Sequence, residues 1–464
     1  MSGPDPRGGA LDLPRTFGFW TGAAIVAASM IGSGILVSPG HTAAATGSHM
    51  LATLLWAGCG LLALCGALTL AEMATARPQV GGEVIFVEWA FGRFAGFIYG
   101  WATLVLGFIG PIAVIARLAA DYTIKSLPEV YAGSLGGADC NCVSWLAVTY
   151  IAIFTLTLCL GQKESAWVQT AATAVKYGTL AAIALAGLVF GLPHAERLFV
   201  SVPPEQGWTG ILTATFYIKY TYIGWNGVTY VAGEIRDPSR LLPRCIIAGC
   251  LGTTALYLTV VLAMGLAYSP ADVQAIPENE RDLLAIRAFE KLSGVPAAGR
   301  VFAAVVGLGM LATINAFLLT GSRVAFMMAR KGGLPSFLGH WSGRNAPVTA
   351  LLLQGAAAAA LAWNATAASL MYELGIGLSL MGVLFGGAIF ALRRRPEYRP
   401  TFRVPLYPLP SIIYFGICLS LVGFAATMKT EFFLKAAGAI VAGAPLYFLT
   451  RRPAAATDDR AATP

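Results

Sequence analysis

Long apolar stretches that do not alternate decide what this chain can fold into. Tyr177–Phe190 and Val301–Ala312 are two of them. Inside lipid only α-helices and closed barrels satisfy their own backbone groups. Barrel strands alternate apolar and polar residues, and these stretches do not. The chain therefore reads as an all-α integral membrane protein. Its composition agrees: 57% of the 464 residues are hydrophobic and 12% are charged, against about 25% charged in soluble domains. At about 20 residues per span the length accommodates roughly twelve transmembrane helices.

The apolar stretches place spans 1 to 12 at 17–38, 50–72, 94–124, 144–161, 168–191, 209–232, 244–267, 300–322, 347–364, 368–392, 409–428 and 432–450. The expected organisation is a tail over 1–16, a first five-span block over 17–191 and an outer connection over 192–208. A second five-span block follows over 209–392, then a loop with spans 11 and 12 over 393–450, and a tail over 451–464. Lys and Arg set the orientation. With the N-terminus in the cytoplasm, about 20 of them fall on the inner side and about 8 on the outer side, so both termini are expected inside. The polar segment Met1–Thr16 leads directly into span 1, so no cleavable signal peptide is expected.

A weak internal repeat points to a site. Span 1 is interrupted at Ile31-Gly32-Ser33-Gly34 and span 6 at Ile223-Gly224-Trp225-Asn226-Gly227. Each opens a five-span block, and an odd number of spans puts the two blocks in opposite orientations. Glycine-interrupted spans at corresponding positions of two halves mark a transporter site near the bilayer midplane. A lone G-x-G in one span reads as close helix packing; the matching break favours an unwound segment. The half-helix after Gly32-Ser33-Gly34 then turns its positive end to the gap, which suits a carboxylate, and Ser33 adds a hydroxyl. Freed carbonyls near Tyr222 and Ile223 suit an ammonium. The pair of grips fits an α-amino acid zwitterion. Tyr220, Tyr222 and Trp225, taken singly, read as core or interfacial aromatics.

Five ordered motifs resemble the amino acid–polyamine–organocation superfamily, and within it the L-type amino acid transporters. They are Ile31-Gly32-Ser33-Gly34-Ile35 with Ser38-Pro39; Ala71-Glu72-Met73 with Gly81-Gly82-Glu83 and Glu88-Trp89-Ala90-Phe91-Gly92; Tyr222-Ile223-Gly224-Trp225-Asn226 with Glu234-Ile235-Arg236-Asp237-Pro238 and Pro243; Ser322-Arg323 with Ala329-Arg330-Lys331-Gly332-Gly333-Leu334-Pro335; and Arg395-Pro396-Glu397 with Phe402-Arg403-Val404-Pro405. The resemblance covers nearly the whole chain. It implies a 5+5 inverted repeat with helices 1 and 6 broken, followed by two further helices, and sodium-independent amino acid exchange or proton symport. By position it implies the substrate carboxylate at Gly32, Ser33 and Gly34 and the ammonium at the carbonyls of Met30 and Ile223. It also implies Tyr220 as an occluding aromatic and Asn226 as a brace of the unwound segment.

Three cations fall within spans, where charge is costly and by default functional. Lys176 matches a span 5 lysine of the family that resembles a stand-in for a sodium ion. It reads either as a proton carrier, since buried lysines lower their pKa, or as a permanent structural clamp. Lys219 departs from the family, which has an uncharged residue there. It reads mainly as structural, snorkelling outward or pairing with an acid, and otherwise as a contact to an acidic substrate side chain. Arg117 in span 3 is equally open. If Lys219 and Arg117 both face the site, dibasic substrates are disfavoured by repulsion.

No catalytic grouping, metal-ligand spacing or Walker loop is present, so neither an enzyme, a cofactor nor ATP-driven transport is expected. The net charge of +8 comes from the sided loops, not from a basic stripe, so no nucleic acid partner is expected. Two alternatives stay open: a polyamine or other cationic amine transporter, for which Glu373 is the main candidate carboxylate, and a non-transporting amino acid sensor. Six of the eight cysteines sit in or beside apolar runs as small hydrophobes. Cys140 and Cys142 share a polar loop and are spaced too closely for an ordinary disulfide with each other. That loop lies where eukaryotic L-type transporters link to a glycoprotein heavy chain. The alanine-rich, short-tailed chain looks bacterial, and no heavy chain is expected.

Overall fold

The computed structural model describes residues 17–77, 82–128, 141–160, 166–330, 332–340 and 346–450. Among them there are no strands beyond two isolated bridges, Phe17 with Ile235 and Ser48 with Ser201. Nine described helices are long and apolar enough to cross a membrane, from His49–Ala76 (span 2) to Thr430–Thr450 (span 12). Span 1 adds a tenth as a bent pair, Phe19–Met30 and Gly34–Thr46, with 52° between the halves. Span 9 is a shorter apolar helix, Val348–Asn364. Span 6 is divided into Gly207–Thr221 and a tighter 3₁₀ segment, Gly227–Glu234. The protein is thus a multi-pass, all-α membrane protein with spans 1 and 6 broken. Spans 3 and 10 are the most buried and span 12 the least.

Several helices overrun their apolar stretches. Span 1 continues to Thr46 and stops at Gly47, whose φ of 63° is the left-handed conformation that glycine adopts freely. Span 7 starts early, at Pro238, because proline suits the first turn of a helix, where its missing N–H costs nothing. Span 8 runs on to Arg330, so Ser322 and Arg323 lie within a helix and not in a loop. Hydropathy ends a span where charge begins, but the backbone ladder continues until a cap stops it. The helix Glu83–Phe91 between spans 2 and 3 is apolar but, at nine residues, too short to register as a span.

Polar knots tie the ends of the bundle. At one end the Glu72 carboxylate is 0% exposed. It accepts from Arg393 Nε at 2.8 Å and Nη2 at 2.5 Å, from the Tyr398 hydroxyl at 3.1 Å and from the Val404 amide at 2.7 Å. Arg393 also lies 3.4 Å over the Tyr407 ring. At the other end the segment Glu278–Leu283 closes on the second half of span 1. His41 Nε2 sits 2.7 Å from Asp282 Oδ1, with its ring stacked on Tyr217. Arg281 grips Glu205 with both Nη atoms at 2.9 and 2.8 Å.

Cys142 is disulfide-bonded, whereas Cys59, Cys65, Cys159, Cys245, Cys250 and Cys418 are free. Cys140 lies outside the described residues.

Candidate functional site

Both breaks open on one cavity of about 850 Å³, a volume in the usual range of small-molecule sites. Met30 to Gly34 line one side, and Tyr220 to Gly227 line the other. Span 3 contributes Tyr99, Gly107 and Phe108, span 8 Phe317, and span 10 Met381. Gly107 and Phe108 lie in a π-bulge, Val105–Ile109, a wider turn that often marks functional positions.

The breaks are built by close packing. Gly224 has φ 102°, and a Cβ on it would fall 2.3 Å from the Ser29 carbonyl oxygen. A Cβ on Gly34 would fall 2.5 Å from Thr221 Oγ1. The second half of span 1 and the first half of span 6 are joined here, since Ser38 and Thr221 share a hydroxyl–hydroxyl bond of 2.8 Å. Gly32, by contrast, has nothing within 4 Å of where its Cβ would stand.

The backbone groups at the two breaks are only partly paired. No backbone carbonyl among the described residues accepts from the Gly32 or Ser33 amide, and no backbone amide donates to the carbonyls of Tyr222 or Ile223. Gly34 opens the second half-helix of span 1, where the first turn leaves its N–H groups without intrahelical partners. One residue not singled out from sequence joins the two breaks. Tyr257 of span 7 donates its hydroxyl to Met30 O at 2.7 Å and lies 3.3 Å from Thr221 O. The Gly32 backbone also bonds to Tyr257. The Met30 carbonyl therefore keeps one lone pair for another donor.

The charged candidates separate. Lys176 lines the cavity and also borders a smaller void beside Ile31, Gly32 and Ser33, so it stands against the break of span 1. Lys219 is 9% exposed and lines the cavity. Its ammonium reaches Ser379 Oγ at 3.1 Å, Cys418 Sγ at 3.2 Å and Leu378 O at 3.4 Å, with the Tyr414 ring at 6.0 Å. These partners are neutral, and an acid partner for Lys219 is not found among the described residues. Arg117 does not line the cavity. It donates to Ser144 Oγ at 2.7 Å and Ala362 O at 3.0 Å, bridging spans 3, 4 and 9. Glu373 also lies outside the cavity lining and sits 3.8 Å from Lys435.

Glu83 is the one carboxylate among the described lining residues. Tyr99 donates its hydroxyl to Glu83 Oε2, and the Asn226 side chain bonds the same carboxyl. Burial pushes this carboxyl up to about 7, against the two hydrogen bonds, which favour its ionised form. No group of three or more metal-ligating side chains occurs among the described residues.

A family model described as amino acid permease matches residues 17–446. The chain is 26% identical to the serine/threonine exchanger SteT of Bacillus subtilis (strain 168), covering 94% of this chain and 97% of that protein. It is 29% identical to the human large neutral amino acids transporter small subunit 2, covering 95% of this chain and 81% of that one. It is 26% identical to the mouse b(0,+)-type amino acid transporter 1, covering 94% and 88%.

Proposed function

The chain belongs to the amino acid permease family, and from that premise, amino acid transport across a membrane, we propose that it is a sodium-independent secondary transporter of L-amino acids. The substrate zwitterion is held between the breaks of spans 1 and 6, and the site is opened to each side in turn. The carboxylate meets Ser33 and the backbone of Gly32 and Gly34. The ammonium meets the carbonyls of Ile223 and Met30. Tyr220, buried in the lining, covers the substrate, and Asn226 braces the span 6 break. The observation that supports this reading is the meeting of the two breaks on one cavity, where the Ser33 amide and the Tyr222 and Ile223 carbonyls have no backbone partner among the described residues. The two five-span blocks, 17–191 and 209–392, are taken as inverted repeats that rock about this site, with both termini cytoplasmic in a cell membrane.

Lys176 borders a void beside the span 1 break, which supports reading its ammonium as the stand-in for a coupling cation. Counterflow in proteoliposomes with each amino acid, with and without sodium, tests the reading. Equal counterflow in both is expected; a sodium requirement would remove the role given to Lys176. Binding without any flux would favour the sensor alternative.

The cavity disfavours a cationic side chain. Lys176 and Lys219 line the cavity together with a single carboxylate among the described residues, Glu83, which Tyr99 and Asn226 already engage. Arginine uptake is expected to fall well below that of neutral amino acids. Lys219→Met should raise it about tenfold, because a like charge at several ångströms in a low-dielectric site costs on the order of 1–2 kcal/mol. Arginine uptake equal to neutral uptake in the unmodified protein would sink this point and reopen the cationic-substrate alternative. A disulfide-linked heavy chain is not part of the proposal, and a non-reducing gel of the native protein showing a larger linked species would overturn that.

A further inference from the structure

Glu83 plays no part in gripping a zwitterion, yet its carboxylate lines the cavity from the first residue of the helix Glu83–Phe91. The residue is 9% exposed. Its hydrogen-bond partners come from two different elements: Tyr99 from span 3 and Asn226 from the broken part of span 6. The titratable groups that face it are Tyr99 and, from span 11, Tyr414. Span 10 also packs on this helix, and it carries no charged or titratable residue between Glu373 and Arg393. A buried carboxylate held by neutral donors is stable in either protonation state, and its surroundings change little else as it titrates.

We propose that Glu83 is a proton-binding site of the transport cycle, and that its occupancy sets how firmly the span 6 break is tied to span 3. Ionised, the carboxylate accepts from both Tyr99 and Asn226. When it takes a proton from water in the open cavity, one oxygen becomes a donor, and the charge that strengthened both bonds is gone. Asn226 follows the free carbonyl of Ile223 by three residues, so a looser tie at Asn226 reaches the place assigned to the substrate ammonium. The proton returns to water when the carboxylate is again exposed to solvent. The proposal rests on the zwitterion-transport reading above. It adds that transport depends on pH through this residue. Burial places the carboxyl near 7, so the dependence falls around neutrality.

The test uses the full chain in proteoliposomes. Counterflow of a neutral L-amino acid is measured at equal pH on both sides, stepped across neutrality. The unmodified protein should pass through a midpoint in that range, and Glu83→Gln should lose the step. Tyr99→Phe removes a donor to the ionised form, so its midpoint should move up by about one pH unit. A pH-independent unmodified protein, or a Glu83→Gln variant with the unmodified profile, overturns the proposal. If Glu83→Gln transports nothing, Tyr99→Phe and Glu83→Asp decide: shifted midpoints support the site, and unmoved midpoints overturn it. Absence of counterflow for every amino acid at every pH would instead remove the transport reading, and this proposal with it.

Discussion

Gly224→Ala is expected to lower transport at least about a hundredfold, equivalent to some 2.7 kcal/mol or more. Two independent costs combine at this position. The residue has φ 102°, a conformation that L side chains rarely adopt, and its Cβ would stand 2.3 Å from the Ser29 carbonyl oxygen and 2.6 Å from the Ser29 carbonyl carbon. Both neighbours are backbone, so no side chain can turn away. Relief requires the span 6 break to move off the end of the first half of span 1, which widens the gap between the two proposed grips. Gly32→Ala is the informative partner. That methyl meets nothing within 4 Å, so the protein should melt at an unchanged temperature while substrate affinity falls. Counterflow rates and thermal unfolding of both variants in detergent check the contrast. A Gly224→Ala protein with normal transport would mean that the contact between the breaks is not needed.

The second large effect concerns stability. Arg393→Met should destabilise the fold by about 3–5 kcal/mol, because it leaves the Glu72 carboxylate buried without its counter-charge. The remaining donors, Tyr398 and the Val404 amide, are neutral and cannot replace it. Glu72→Gln combined with Arg393→Met should recover part of the loss, since no unpaired charge is then buried. Thermal unfolding of the two proteins provides the measurement. An Arg393→Met protein as stable as the unmodified one would show that the pair contributes little to the fold.

The spans were legible because lipid imposes one simple requirement on many consecutive residues. The breaks were legible because Gly32-Ser33-Gly34 and Gly224 stand at matching places in two halves. What the sequence hid depends on contacts between distant residues. Lys219 was open to several readings until Ser379 and Cys418, on spans 10 and 11, met its ammonium. Arg117 was open between a structural and a selectivity role until its Nη1 met Ser144 and Ala362. Glu373 looked like a pocket carboxylate but faces Lys435. Glu83 reads in sequence only as part of a motif, because nothing in Gly81-Gly82-Glu83 says that the chain folds the carboxylate back to Asn226. Tyr257 sits in an apolar span, where a tyrosine reads as core.

That tyrosine has a consequence for the motion itself. One hydroxyl holds the last carbonyl of the first half of span 1 and a carbonyl at the end of the first half of span 6. Those half-helices therefore share a single fastening and cannot part without breaking it. Under alternating access, the state that separates them must give this hydroxyl a new partner or leave a buried donor unmet, which costs about 1–3 kcal/mol. Tyr257→Phe removes that toll from one direction of travel only. It should shift the balance between the two facing states toward the one in which the half-helices are parted.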